Sequence, residues 1–144
     1  MALKNKRVVP GAKPDARLAA EIQGRVLEGT LSCAEAFAVA AGAGVSPLDV
    51  GQTADILRVK LSHCQLGLFG YPGQGKGWDR SGSGTGSAPD GLEAAIKRRA
   101  GREARITCSD LWELAELYGV PRILAGDAAD RIGIRVTACQ LGAF

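Results

Sequence analysis

The sequence predicts a mainly α-helical fold with short β segments, built twice in tandem. Three observations predict it. The second half repeats the first at a fixed offset of 75 residues. Apolar residues recur at the three- and four-residue spacing of amphipathic helices. Each copy then closes on a brief alternating stretch, the pattern of a short strand.

The repeat is the strongest signal. Residues 31–69 lie over 106–144 without a gap, so Cys33 meets Cys108, Ala40 meets Ala115, and Gly44-Val45 meets Gly119-Val120. Gly51 meets Gly126, Ala54-Asp55 meets Ala129-Asp130, and Cys64-Gln65-Leu66-Gly67 meets Cys139-Gln140-Leu141-Gly142. Upstream, residues 18–26 align with 92–100 after one inserted residue. Two copies are too few for a solenoid, so they form a related pair of small domains. The expected organisation is a basic arm at 1–16, a first domain at 17–69, a Gly/Ser-rich linker or partial wing at 70–91, and a second domain at 92–144. Domains of this size bury little surface, which favours packing together or pairing with another chain.

Each element follows from its residues. Arg17 to Glu28 places Leu18, Ile22 and Val26 on one helical face, and Gly29-Thr30 stops it. Ser32 with Glu35 three residues on is a capping box for a second helix, and Thr107 with Asp110 keeps the chemistry. That helix buries Ala36, Val39, Ala40 and Ala43, or Leu111, Leu114, Ala115 and Tyr118. Gly44 and Gly119 end it. A third helix starts near Pro47 or Pro121 and buries Val50, Ala54 and Leu57, or Leu124, Ala128 and Ile132. The alternation at Val59 and Leu61, or Ile134 and Val136, reads as a strand. Pro72-Gly73 suits a hairpin turn, and Trp78 in the glycine-rich stretch is either docked on a domain or exposed.

This order, with Ala40, Gly44, Val45 and Ser46 followed by Val50, and Ala115, Gly119 and Val120 followed by Ala125, resembles the winged helix-turn-helix family, here as a tandem duplication. The resemblance covers most of 17–69 and 92–144. It implies DNA binding, with the third helix in the major groove. On that alignment Ser46, Leu48, Gln52 and Asp55 are exposed in the first copy, and Arg122, Ile123, Asp127 and Asp130 in the second. Gln52 and Arg122 are then the candidate base readers. The Asp residues suit phosphates badly. A structural reading of the shared Gly-x-x-Ala-Asp has Gly51 and Gly126 allowing close helix contact, and Asp55 and Asp130 pairing with Arg58 or Arg131. The second copy leaves too few residues after its strand for a wing. The first can draw one only from the glycine-rich stretch.

The chain has 144 residues and a formal charge of +3, mildly basic. Candidate phosphate contacts are Lys4, Lys6 and Arg7 in the arm, with Lys13 beside them, Arg58 after the third helix, and the cluster Lys97, Arg98, Arg99, Arg102 and Arg105. The bland alternatives are a solubilising tail and a solvated helix face. No leader or membrane-length apolar run is apparent, so the expectation is a cytoplasmic protein with reduced thiols and no membrane partner. The four cysteines fall as repeat-related pairs without a C-x-x-C. They read as buried structural thiols, with a metal site or a regulatory disulfide as the alternatives. His63 beside Cys64 is not a catalytic pair, because neighbours on a strand face opposite ways and the second copy has Ala138 there. No catalytic motif, metal or cofactor is indicated. The expectation is a non-enzymatic DNA-binding protein acting in transcriptional regulation. The alternative is a protein-interaction or scaffold module, with a protein partner or a second copy of the chain.

Overall fold

The computed structural model describes residues 14–73, 75–78 and 88–144. Lys4, Lys6, Arg7 and Lys13 therefore lie outside the described residues, as do most of the expected arm and part of the expected linker. The first copy runs α1 (Ala16–Gln23), β1 (Thr30–Ser32), α2 (Cys33–Ala43), α3 (Pro47–Ile56) and β2 (Lys60–Ser62). The second repeats it as α4 (Leu92–Ala100), β3 (Arg105–Thr107), α5 (Cys108–Leu117), α6 (Arg122–Arg131) and β4 (Arg135–Thr137). The fold is thus mainly helical, with two similar helix clusters, each carrying a two-stranded sheet.

Local chemistry accounts for the boundaries. α1 begins at Asp15, whose carboxylate accepts from the Leu18 amide, and stops at Gly24, earlier than its apolar spacing suggests. Ser32 caps α2 by accepting from the Glu35 amide at 3.1 Å. The Glu35 carboxylate turns away to bond Arg25, so the expected box is only half built. The second copy does likewise: Thr107 caps α5, and Asp110 pairs with Arg99. The complete box sits on α3, where Ser46 and Asp49 bond each other's backbone and Pro47 fills the first turn. Pro121 instead occupies the cap position before α6. Gly44 and Gly119 take left-handed conformations, and the Val45 and Val120 amides bond back to Ala40 and Ala115.

β1 pairs with β2 in parallel, Leu31 opposite Leu61, and β3 pairs with β4, Ile106 opposite Val136. Parallel neighbours need a crossover, and the two intervening helices supply it. A wing would be an antiparallel hairpin; among the described residues neither sheet gains a third strand. Pro72-Gly73 does turn the chain, in a small antiparallel bridge between Tyr71 and Gly75.

The compact units cross the repeat boundaries. One consists of Gln65–Cys139; the other joins residues 14–64 to Gln140–Phe144. Each copy's Gln-Leu-Gly tail therefore packs on the third helix of the other copy. Leu66 and Leu141 are each 1% exposed. A Cβ on Gly126 would fall 1.9 Å from the Leu66 carbonyl oxygen, and one on Gly51 would fall 1.8 Å from that of Leu141. A Cβ on Gly67 would strike Ile123, and one on Gly142 would strike Leu48, the repeat equivalent of Ile123. The glycines expected to bring helices together thus admit a peptide backbone. Burying each leucine contributes roughly 1.5–3 kcal/mol.

Two turns of chain make this exchange. His63 (φ 47°) and Ala138 (φ 55°) adopt the left-handed conformation directly after the strands. His63 is therefore past the strand end, so the alternation argument against it does not apply. Its Nδ1 lies 3.0 Å from Ser62 Oγ.

Candidate nucleic-acid interface

The cationic candidates separate by what already holds them. Lys97 and Arg98 are exposed in the last turn of α4, where cations also complement the helix dipole. Arg102 is exposed in the following turn and Arg105 on β3. Among the described residues none of these four has an ion-pair partner. Arg99 differs: its guanidinium donates to Asp110 at 3.0 Å and Glu113 at 3.4 Å. These contacts raise its pKa above the ordinary arginine value, the Asp110 hydrogen bond first. Arg99 braces α4 against α5 as Arg25 braces the first copy.

Arg135, which sequence reasoning missed, joins the open group. It lies directly opposite Arg105 in the β3–β4 register, exposed and without an ion pair among the described residues. Like charges placed opposite one another across strands repel. An anion placed between them would relieve that repulsion. In the first copy the same positions hold Thr30 and Lys60.

The proposed base readers fare differently. Gln52 is exposed on α3, beside Asp49 and Arg17 in a shallow groove. Arg58 is exposed in a left-handed conformation just past α3. Arg122, in contrast, stacks 3.6 Å from the Trp112 ring and donates to Gln65 Oε1 at 2.6 Å. It ties the first copy's tail to the start of α6. Residues 124–129 of α6 are all buried. Asp127, expected on the exposed face, is 4% exposed and accepts from Arg131 at 2.7 Å. Asp130 pairs with Lys76 at 3.0 Å rather than with Arg131. Asp127 is therefore not on an open face, whereas its repeat equivalent Gln52 is exposed.

The glycine-rich stretch takes part in the same unit. Gly77 donates to the Gly67 carbonyl at 2.6 Å, Trp78 packs on Gly67, and Lys76 sits 5.4 Å over the Trp78 ring. Trp78 is thus docked.

None of the four cysteines is in a disulfide, and three are buried, with Cys139 half-buried. Among the described residues no group of three or more His, Cys, Asp or Glu is placed to hold a metal ion. No single helix there is long and apolar enough to cross a membrane. Comparison of the chain with protein-family models, curated proteins and solved structures finds no match.

Proposed function

We propose that the protein binds DNA through its phosphate backbone, using the unit formed by Gln65–Cys139. One observation carries this reading: Lys97, Arg98, Arg102, Arg105 and Arg135 are exposed without ion-pair partners among the described residues, and two of them oppose each other in register. Phosphate contacts of this kind position a protein on a duplex without reading sequence. The helix-turn-helix resemblance supports the same class. The chain bends by 112° between α2 and α3 across a three-residue turn containing Gly44, within the range of that motif. We read the domains as tandem helix-turn-helix modules whose wings are replaced by exchanged tails. Of the two candidate base readers, Gln52 is exposed on α3, whereas Arg122 is held by Trp112 and Gln65, so base reading falls to Gln52. Regulation of transcription is the role this class would take.

Titration of the purified protein against random duplex DNA, followed by fluorescence anisotropy, tests the proposal. Four to five phosphate contacts predict an affinity loss of about two to three orders of magnitude between roughly 50 and 200 mM salt. Absence of salt-sensitive binding at micromolar protein sinks it.

A second reading has its own support. The burial of residues 124–129 leaves α6 no face for a groove, which favours a protein-interaction or scaffold module. Leu27 and Leu117, each 74% exposed, are apolar side chains such a module could cover with a protein partner or a second copy. The DNA titration separates the two readings.

A further inference from the structure

The recurrence of cysteine at two places in each copy acquires a spatial meaning. β1 and β2 end in register at Ser32 and Ser62, and β3 and β4 at Thr107 and Thr137. The next residue on one side is Cys33 or Cys108, the first residue of a helix of 11 or 10 residues. On the other side one left-handed residue intervenes, His63 or Ala138, and then comes Cys64 or Cys139. In the second copy the Cys108 amide donates to the Ala138 carbonyl at 3.4 Å. That carbonyl belongs to the peptide bond leading into Cys139. Standard peptide dimensions then put the two Cα atoms on the order of 5–7 Å apart, the span a disulfide bridges. The first copy has the equivalent register and a left-handed residue, His63, at the same place.

We propose that each copy carries a dithiol site, Cys33 with Cys64 and Cys108 with Cys139, which a small disulfide such as oxidised glutathione converts to a protein disulfide at the root of the exchanged tail. Cys139 is half-buried and the other three are buried, so the second copy reacts first. The Cys139 thiolate attacks the oxidant. The oxidant's S–S bond breaks, one glutathione thiolate leaves, and a mixed disulfide forms. Cys108 then gives up its proton, attacks Cys139 Sγ and expels the second glutathione. Two protein thiols lose two electrons and two protons, and the oxidant becomes two thiols. The pairing is local to each copy.

The test uses the full chain. The reduced protein is incubated with oxidised glutathione and quenched in acid. Intact mass and a non-reducing peptide map are then recorded. The expected first product is about 2 Da lighter and carries Cys108–Cys139; the final product is about 4 Da lighter and adds Cys33–Cys64. Cys108→Ser should stall at a glutathione adduct on Cys139, because the resolving thiol is gone. Circular dichroism verifies that the variant is folded. Linkage of Cys33 to Cys108, stable adducts on the wild-type chain, or no reaction of the folded protein overturns the proposal. None of these readouts depends on DNA binding.

Discussion

α1 and α4 occupy the same place in the two copies and do different things. Both present buried leucine and isoleucine inward, Leu18 and Ile22 in one, Leu92 and Ile96 in the other. Each copy has an arginine brace to the next helix, from Arg25 just past α1 to Glu35 and from Arg99 in the last turn of α4 to Asp110. Outward they diverge. Residues 92–107 carry Lys97, Arg98, Arg99, Arg102 and Arg105 against Glu93 and Glu103. Residues 16–32 carry Arg17 and Arg25 against Glu21, Glu28 and Glu35 just beyond. The two copies agree in what packs and differ in what faces outward. The phosphate-binding reading therefore belongs to one unit.

The largest effect should come from breaking what the copies share. Gly126→Ala or Gly51→Ala forces a methyl into a backbone carbonyl and should cost about 3 kcal/mol or more in a thermal or denaturant melt. Gly42→Ala, in open space near the end of α2, is the control and should stabilise by up to ~1 kcal/mol. If the two substitutions behaved alike, the tail exchange would not be a stabilising feature.

Next comes the difference between copies. Replacing Arg102, Arg105 and Arg135 together by alanine should weaken duplex binding at least ~10-fold and lower the salt slope by about 3. Arg17→Ala and Lys60→Ala, in the other copy, should change affinity little. Anisotropy titrations at several salt concentrations measure both.

Arg122→Ala sharpens the comparison further. It removes the stack on Trp112 and the bond to Gln65, at a cost of about 1–2 kcal/mol. The equivalent positions in the first copy are Pro47 and Phe37, which cannot form a cation–π pair. If Arg122 clamps the tail rather than reading bases, the folded variant should retain wild-type DNA affinity within a few-fold.

The smallest expected effect concerns the residue after the third helix. Arg58 is left-handed where the second copy has Gly133. Arg58→Gly should relieve strain and stabilise by about 0.5–1 kcal/mol, seen as a higher melting midpoint.

Much of the fold was legible in the sequence because its causes are local. Ser46 and Asp49 announce a capped helix. Gly44 and Gly119 announce its neighbour's end. Leu18 with Ile22 and Leu111 with Leu114 mark the buried faces. The shortfall at the end of α1 has a local cause too: Gly24 and Gly29 compete to stop the helix, and the nearer one prevails. The candidate interface was legible only as a run of cations. Its separation into Arg99, which is paired, and Lys97, Arg98, Arg102 and Arg105, which are open, depends on which carboxylates α5 brings near.

The sequence by itself determined that this protein is helical, that its pattern occurs twice, and that Gly51, Gly126 and the two Cys-Gln-Leu-Gly segments matter to both copies. Helical period and capping chemistry act over three or four residues, so they can be read along the chain. Only the tertiary structure decided that each tail crosses to the other copy's helix, that Asp127 is covered, and that Arg105 faces Arg135. Those outcomes rest on close packing and strand register between segments distant in sequence, and no local pattern carries that information.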